Sequence, residues 1–370
     1  MIDGMSLFSP WPNASAVIVT VALLTPATAE VLKLRDVDIS PERDHRVLFA
    51  SGVTPTGDVL SFVAKSTGIW KLYRVRKWNT GSTSVQSLTL PGYFSKADAQ
   101  DSEGRALGQL HASVFTTTDG AYAICVGSAT WWKRVNGRAV GHVKSDDFIT
   151  IVDLSRFVPF RTAHTRDLGL FEFRDVKLDG EGYLLVDTLS ENRSRGAFCR
   201  LALPSLLVGP MCRYNWITKR GAGSPAGVIT VPAGQYPEPE AGGACSAALG
   251  STPFSEYASK WIQSTLSLRT PGCEDNNRAE FCRWISRASF TSDGKFGVAY
   301  ASEGHDNLLG NWVETNSRFL IFSVAQKADV GQVRVSTGDS FRTATAVVDS
   351  RDFLLLVSNG THLTVYELRD

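Results

Sequence analysis

The side chains best suited to chemistry lie together in one short stretch, residues 302–307 (SEGHDN). Its carboxylates and imidazole, from Glu303, His305 and Asp306, are groups that bind metal ions or transfer protons. The same composition is typical of a solvated loop between two strands, because connecting segments are usually polar. We therefore treat Glu303, His305 and Asp306 as candidate ligand-binding residues and assign no metal site.

A second candidate is the aromatic and basic run at residues 131–134 (WWKR). The rings of Trp131 and Trp132 can stack on a sugar or a peptide, and the neighbouring cations add cation–π attraction. Paired aromatic residues also pack between neighbouring sheets of a β protein. Both interpretations of Trp131 and Trp132 stay open on the sequence alone.

The sequence contains none of the common catalytic motifs. There is no H-E-x-x-H, no G-x-S-x-G, no Walker A loop and no calcium loop, and the six histidines are scattered singly. Gly180-Glu181-Gly182 lacks the third glycine of a dinucleotide loop, and its position between two predicted strands indicates a turn. We therefore expect no cofactor.

The charge balance argues against nucleic acid as a partner. Lys plus Arg number 38 and Asp plus Glu number 37, so no overall field attracts a polyanion. The apolar content of 43% is typical of a packed globular fold. Abundant glycine and runs rich in Val, Thr, Phe and Tyr favour strands joined by tight turns. Residues 71–77 (KLYRVRK) alternate basic and apolar side chains, as a half-exposed strand does.

A repeated unit must position all these residues. Each copy has a strand, a polar turn usually containing glycine, an aromatic residue and a strongly apolar strand. Asp and Ser side chains bond back to the backbone in such turns, and Gly adopts positive φ. Four clear copies and one weaker copy are found, at residues 112–128, 174–190, 288–303 and 345–359, and at 46–64.

The spacing of the copies predicts the architecture. Tyr122 and Tyr183 are 61 residues apart, and Phe296 and Phe353 are 57 residues apart. This period counts to six units if one degenerate copy lies between residues 189 and 283. Each unit has room for four short strands, and such units repeated radially form a β-propeller. The sequence thus predicts an all-β fold, a propeller of six four-stranded blades, with seven blades as the alternative.

The two ends of the chain predict how the ring closes. The last unit supplies three strands, and a fourth strand is left over at residues 30–39. Pairing of the N-terminal and C-terminal strands completes the last blade and removes an exposed sheet edge. The imperfect apolar alternation of residues 30–39 predicts a bulge between Leu34 and Val37.

One turn carries a resemblance to a known family. Residues 291–298 (TSDGKFGV) resemble the F-S-P-D-G-K-x-hydrophobic turn of bacterial WD-repeat-like and YVTN-type propellers, whose fold is also called quinoprotein amine dehydrogenase-like. The proline of that motif is absent, as are the Gly-His and Trp-Asp signatures of eukaryotic WD repeats. The resemblance covers four of the six units, each through about six residues. It implies the fold and no particular function, because propellers host many unrelated activities.

The first 29 residues have the pattern of a secretory signal peptide. Residues 4–29 are uncharged, the apolar run at 16–24 is shorter than the roughly 20 residues of a membrane span, and the small residues at 25–29 permit cleavage before Glu30. The n-region departs from the pattern, since it lacks Lys and Arg and contains Asp3. An uncleaved anchor and a buried strand are the alternatives. We expect an exported protein, periplasmic or secreted, with one domain at residues 30–370 and no membrane span after cleavage.

Six cysteines fit an oxidising compartment. We expect at least one disulfide within the irregular, Pro- and Gly-rich region 190–283. The candidate local pairs are Cys199 with Cys212 and Cys273 with Cys282. Cys125 lies in an apolar run, and we expect it to be a buried free thiol.

Two classes of function remain. The first is a binding scaffold that uses the loops at one face of the ring to hold a protein, peptide or glycan. The alternative is a hydrolase or oxidoreductase with a site at the central channel. The sequence favours the scaffold, because it contains no motif that brings catalytic groups together.

Overall fold

A computed structural model describes residues 30–40, 46–65, 69–93, 108–135, 138–145, 147–170, 173–179, 181–189, 195–219, 234–239, 268–269, 282–285, 289–291, 293–306, 312–326, 328–335 and 341–369. All regular secondary structure in these ranges is β-strand. The described chain therefore contains no apolar helix of membrane-spanning length. The predicted signal peptide lies outside the described residues.

The described part of the chain contains 24 strands. Their bounds are β1 (Glu30–Asp38), β2 (Arg46–Val53), β3 (Val59–Lys65), β4 (Ile69–Arg76), β5 (Ser84–Tyr93), β6 (Gly108–Thr116), β7 (Tyr122–Val135), β8 (Arg138–Ser145), β9 (Phe148–Asp153), β10 (Val158–His164), β11 (Phe173–Leu178), β12 (Tyr183–Leu189), β13 (Arg195–Ala202), β14 (Leu207–Lys219), β15 (Gly234–Pro239), β16 (Leu268–Arg269), β17 (Cys282–Ile285), β18 (Ser289–Phe290), β19 (Phe296–Asp306), β20 (Trp312–Ser323), β21 (Ala328–Val335), β22 (Phe341–Val348), β23 (Arg351–Ser358) and β24 (His362–Arg369).

Within the described residues these strands form five antiparallel sheets, numbered here in chain order. Sheet 1 has the order β2-β3-β4-β5, sheet 2 β6-β7-β9-β10, sheet 3 β11-β12-β13-β14-β15, sheet 4 β16-β17-β19-β20-β21 and sheet 5 β22-β23-β24-β1. In addition, β8 pairs with β7 and β18 pairs with β19. All five sheets contain at least four strands paired antiparallel in succession. The predicted all-β fold of four-stranded units is confirmed.

The sheets pack against one another through their apolar faces. Trp70 of sheet 1 lies edge-on to Phe148 of sheet 2, with 5.4 Å between ring centroids, and Trp78 of sheet 1 lies edge-on to Phe353 of sheet 5 at 5.0 Å. Further clusters of buried apolar residues join sheet 2 to sheet 3 and sheet 4 to sheet 5. β3 is buried along its whole length because sheets cover it on both sides. Sheets stacked face to face in succession are the blades of a β-propeller.

The first strands of neighbouring blades lie side by side. β2 of sheet 1 contacts both β6 of sheet 2 and β22 of sheet 5, and β18 of sheet 4 contacts β22. This places the first strand of each of these blades on the inside of the stack and the fourth strand on the outside. The described contacts run in the order sheet 4, 5, 1, 2, 3, and the interface between sheets 3 and 4 lies outside them. Closure of the ring and the number of blades stay predictions.

The N-terminal strand completes the last sheet, as predicted. β1 pairs antiparallel with β24 from Glu30 opposite Arg369 to Asp38 opposite His362. The backbone N–H of Ile39 extends the pairing by donating to the carbonyl of Thr361 at 2.6 Å. The register shifts between Lys33 and Arg35, so the bulge lies at Leu34, slightly earlier than the predicted position between Leu34 and Val37.

The region predicted to hide a degenerate unit contributes strands to its neighbours. β13, β14 and β15 belong to sheet 3, and β16 and β17 belong to sheet 4. Residues 240–267 lie outside the described part of the chain. The described residues of this region therefore form no separate sheet, and the predicted sixth unit is not confirmed.

The structure bears on two of the predictions for the cysteines. Cys125 and Cys199 are free, buried thiols, so the prediction for Cys125 is confirmed. The proposed pair of Cys199 with Cys212 is wrong, because Cys199 lies opposite Met211 while Cys212 lies opposite Phe198. Consecutive strand residues point to opposite faces, so the two sulfur atoms lie on opposite sides of sheet 3. A disulfide that includes Cys212 stays a prediction.

Candidate functional site

The tight turns of the five sheets lie at one end of each sheet. In an antiparallel meander, the turn between the first and second strands and the turn between the third and fourth strands lie at the same end. We call this end the turn face. The turns between first and second strands are at residues 54–58, 117–121, 179–182, 291–295 and 349–350, and those between third and fourth strands are at 77–83, 154–157, 203–206 and 324–327.

Two of the turns have the same pattern of hydrogen bonds. The Thr117 hydroxyl donates to Asp119 Oδ1 at 2.5 Å and accepts from the backbone N–H of Tyr122 at 3.0 Å. The Thr291 hydroxyl makes the same two bonds, to Asp293 at 2.8 Å and from Phe296 at 3.1 Å. Because these bonds fix both ends of the turn, they hold the turn in a single conformation.

Two other turns are variants of this network. Thr54 accepts from the backbone N–H of Asp58 in a turn one residue shorter. Asp179 replaces the threonine in sheet 3 and accepts from the backbone N–H of Glu181 and of Tyr183 at 2.9 and 2.8 Å. In all four turns a glycine adopts positive φ, between 69° and 85°. The turn chemistry inferred from the sequence is thus present in sheets 1 to 4.

The turn face carries a set of exposed apolar side chains. A folded chain buries most such groups, and scattered single exceptions are common. Among the residues whose side chains the structure describes, every exposed large apolar side chain lies within three residues of a turn of this face. These residues are Val85, Val158, Phe160, Tyr183, Leu207, Val208, Phe290 and Val324.

Aromatic rings within this set have partners that hold them in place. Phe160, which is 54% exposed, contacts Tyr122 with 5.4 Å between ring centroids. The Arg200 guanidinium lies 4.4 Å from the ring centroid of Tyr183 and donates to Asp179 Oδ2. Ordered aromatic and arginine side chains contribute most strongly to protein interfaces.

A cavity opens in the turn face between sheets 1 and 5. Its volume is about 650 Å³, and its walls come from the turns at residues 54–58, 77–83 and 349–350 with the ends of their strands. Trp78 forms part of the wall and donates its indole N–H to the Gly57 carbonyl at 2.5 Å. Asn79 donates to Asp349 Oδ2 at 3.0 Å and so joins the two sheets across the cavity.

Three cations and two carboxylates line this cavity. Asp58 and Arg74 are both nearly buried and form an ion pair, with 2.6 Å from Arg74 Nε to Asp58 Oδ2. Arg74 also donates to the Leu154 carbonyl of sheet 2. Arg76 Nε lies 3.9 Å from the same carboxylate oxygen, and its side chain is 49% exposed. Lys77 and Asp349 complete the charged lining.

A second charged group joins sheets 4 and 5 on the turn face. Lys295 Nζ lies 2.8 Å from Asp293 Oδ2 and 3.6 Å from Asp352 Oδ2. Burial and the nearby charge of Asp293 raise the pKa of Asp352. Burial opposes ionisation of Asp293 as well, but hydrogen bonds from Lys295 and Thr291 prevail and lower the pKa of Asp293 to about 2. Asp352 Oδ1 is buried and, within the described residues, has no hydrogen-bond partner.

The buried thiols have little nucleophilic character. Burial raises the pKa of Cys125, and burial together with the charge of Asp187 raises the pKa of Cys199 to about 12. A thiol reacts as its thiolate, which such pKa values suppress near neutral pH. Neither cysteine is therefore a candidate catalytic group.

The residues singled out from the sequence lie at the end opposite the turn face. Glu303, His305 and Asp306 belong to β19, where Glu303 pairs with Asn316 and Asp306 with Trp312 of β20. They are strand residues and not the predicted loop, because β19 extends past β18 and pairs with β17. The positions of their side chains lie outside the described part of the structure.

Trp131 and Trp132 occupy the equivalent half of β7 in sheet 2. Trp131 pairs with Lys144, and Trp132 pairs with His142 of β8. The two candidate sets therefore share one end of the fold but lie in different sheets. Their role in ligand binding stays a prediction.

The sequence reasoning missed the cavity. Residues 71–77 were interpreted only as a half-exposed strand, and β4 does alternate in burial. The acidic groups near the end of that strand are Asp58 and Asp349. Asp349 accepts a hydrogen bond from Asn79, which is 270 residues away in the chain. The available signal was three basic residues, Arg74, Arg76 and Lys77, crowded at the end of one strand.

Comparison with known proteins gives no family. No protein-family model matches the chain, and no curated protein sequence matches it. Several solved structures resemble it at low identity. A chain of the mitotic checkpoint complex is 10% identical, with 100% of this chain and 99% of that chain covered and a TM-score of 0.36.

Two further solved structures are similar over most of the chain. The soluble aldose sugar dehydrogenase from Escherichia coli is 12% identical, with 92% of this chain and 99% of that chain covered and a TM-score of 0.35. The β-propeller domain of the Trilobed protease from Pyrococcus furiosus is 8% identical, with coverages of 85% and 80% and a TM-score of 0.27. At these identities and TM-scores, the similarities assign no activity or partner to the chain.

Proposed function

We propose that the chain is an exported scaffold that binds a protein partner on the turn face. The observation that carries this proposal is the position of the eight exposed apolar side chains, all at one end of the sheets. Exposed apolar groups concentrated on one surface are characteristic of interaction sites. Export is inferred from residues 1–29, and the WD-repeat-like or YVTN-type subtype from residues 291–298.

The composition of the face favours a protein over a glycan. Aliphatic residues such as Leu207, which is 67% exposed, and Val158, which is 43% exposed, gain from burial against apolar surface and offer nothing to sugar hydroxyls. Phe160, Tyr183 and Arg200 are residue types that often dominate binding energy at protein interfaces. The hydrogen-bonded turns hold these groups in place before binding, which lowers the entropic cost of association.

Site-specific photo-cross-linking tests the proposal. A photoreactive phenylalanine analogue at Phe160 or at Leu207 is expected to capture the same protein, identified by mass spectrometry, from the compartment to which the chain is exported. Lys33, exposed in the middle of the outermost strand of sheet 5, is the control position. Capture of the same protein from Lys33 with equal yield, or no capture from the turn face, contradicts the proposal.

The alternative, an enzyme with a site at the central channel, gains no support from the described residues. Glu303, His305 and Asp306 on β19 and Trp131 and Trp132 on β7 lie in separate sheets. The best-defined carboxylate pair, Asp293 with Asp352, includes a side chain that is nine-tenths buried. This pair therefore serves to join two sheets.

A further inference from the structure

The cavity between sheets 1 and 5 holds two cations whose charge the fold leaves largely unbalanced. We propose that Arg76 and Lys77 bind a carboxylate of an acidic segment of the protein partner. This inference rests on the proposed function and specifies the chemistry of the partner. The charges that line the cavity support it.

Arg74 is satisfied within the fold. It shares a nearly buried ion pair with Asp58 and donates to the Leu154 carbonyl of sheet 2. Its guanidinium also lies 6.0 Å from the ring centroid of Phe157. Arg74 therefore joins sheets 1 and 2, and Asp58 is committed to it.

Arg76 interacts only weakly with the same carboxylate. Its Nε atom is 3.9 Å from Asp58 Oδ2, beyond hydrogen-bond distance, and half of its side chain is exposed. An exposed ion pair of this kind contributes little, because water screens it and Arg74 already neutralises the oxygen. The guanidinium of Arg76 is thus available to an incoming anion.

Lys77 has no acidic partner among the described residues. It begins the turn at residues 77–83 with φ of 52°, and its carbonyl accepts from the backbone N–H and the hydroxyl of Thr80, both at 3.0 Å. These bonds fix the backbone of Lys77 and place the residue in the cavity wall. Its ammonium group is the second cation available to a ligand.

The opposite wall limits the charge of that ligand. Asp349 carries one negative charge and accepts the Asn79 amide at 3.0 Å, so its carboxylate stays in the cavity lining. With Arg74 and Asp58 neutralising each other, Arg76, Lys77 and Asp349 leave a net charge of about +1 by this pairing. A single carboxylate balances that charge, whereas the charge of a phosphate dianion exceeds it.

The size and position of the cavity fit a peptide side chain. A volume of about 650 Å³ lies within the range of ligand pockets and admits an acidic side chain with its flanking backbone. Val85, 39% exposed on the strand that follows the turn at residues 77–83, lies on the same face. This surface therefore accommodates a peptide segment that places an acidic residue in the cavity and an apolar residue beside it.

The experiment measures binding of two matched peptides by fluorescence anisotropy. One is a capped alanine peptide with a single central glutamate and a neutral fluorophore, and the other has glutamine at that position. We expect Arg76→Gln/Lys77→Asn to weaken binding of the glutamate peptide at least tenfold. Asparagine is chosen at position 77 because it tolerates positive φ. Arg156→Gln is the control, since Arg156 is an exposed cation of the same face outside the cavity, and its effect should stay within twofold.

The results separate the possible anions. Equal binding of both peptides, or an equal loss in Arg156→Gln, overturns the inference. Tight binding of inorganic phosphate that depends on Arg76 and Lys77, without peptide binding, also overturns it. Cross-linking of a protein at Phe160 without peptide binding rejects only the carboxylate site, whereas peptide binding without any cross-linked protein rejects the proposed scaffold.

Discussion

At the scale of single residues, Asp352 is the clearest case of a group whose environment opposes its charge. Its carboxyl is nearly buried and lies close to Asp293, and its pKa is raised. A group with a raised folded-state pKa stabilises the fold below its unfolded pKa and loses that contribution as pH rises through the folded pKa. Ionisation of Asp352 therefore destabilises the fold.

Asp352→Asn is expected to raise the unfolding midpoint at pH 7. The neutral amide avoids the cost of burying a charge and can donate to Asp293. We therefore expect the unfolding midpoint to rise by roughly 1–3 °C, which corresponds to about 1 kcal/mol or less of added stability. The gain should shrink below pH 4, where wild-type Asp352 is itself protonated. Scanning calorimetry at pH 7 and below pH 4 measures the gain, with the exposed Asp38→Asn as control. A lower midpoint at pH 7 would contradict this account of Asp352.

At the scale of elements, the hairpin turns depend on glycine for their shape. Gly57 and Gly294 have φ of 85° and 73°, where any side chain is strained. They differ in their surroundings. A Cβ atom at Gly57 would lie 3.1 Å from Val348 Cγ2 of sheet 5, whereas a Cβ atom at Gly294 meets nothing within 4 Å.

Gly57→Ala should therefore destabilise the protein more than Gly294→Ala. Strain alone costs about 1 kcal/mol at either position, and the contact with Val348 adds to it only at Gly57. Urea unfolding of the two variants gives the comparison directly. Equal losses, or a larger loss for Gly294→Ala, would show that sheets 1 and 5 do not meet as closely as described.

The elements were also where the sequence was most informative. The Thr-x-Asp-Gly and Asp-x-x-Gly patterns mark hairpins because their hydrogen bonds are local, and the turns at 117–121 and 291–295 form as predicted. The extensions of β7 and β19 were not foreseen, since each depends on pairing with an additional strand. The cavity was out of reach for a similar reason, because Asn79 and Asp349 meet only once sheets 1 and 5 are packed.

At the scale of the whole molecule, the pairing of β1 with β24 joins the two ends of the chain. Val37 and Ile39 are buried in the core between sheets 1 and 5, and the strand covers an edge of β24 that is otherwise open. Sheet 5 is thus built from both ends of the sequence. Its stability should depend on the N-terminal strand.

Removal of residues 30–39 from the mature chain should lower the melting temperature by several degrees. The deletion removes a full row of strand pairing together with the buried side chains of Val37 and Ile39. The resulting loss of stability exceeds the roughly 1 kcal/mol that shifts a midpoint by a few degrees. A chain that begins at Glu30 is the reference. A melting temperature within about one degree of that reference would show that the ends of the chain do not depend on each other.

The central claim is that exposed apolar groups of the turn face bind a protein partner. The most direct measurement is the affinity of the cross-linked partner for Phe160→Ser/Leu207→Ser, compared with Lys33→Ser/Asp38→Ser on β1, which also keeps the net charge unchanged. Each large apolar group in an interface contributes about 1–2 kcal/mol, so the first variant should bind at least tenfold more weakly and the second as tightly as wild type. Unchanged affinity in Phe160→Ser/Leu207→Ser, with the fold intact, would contradict the claim.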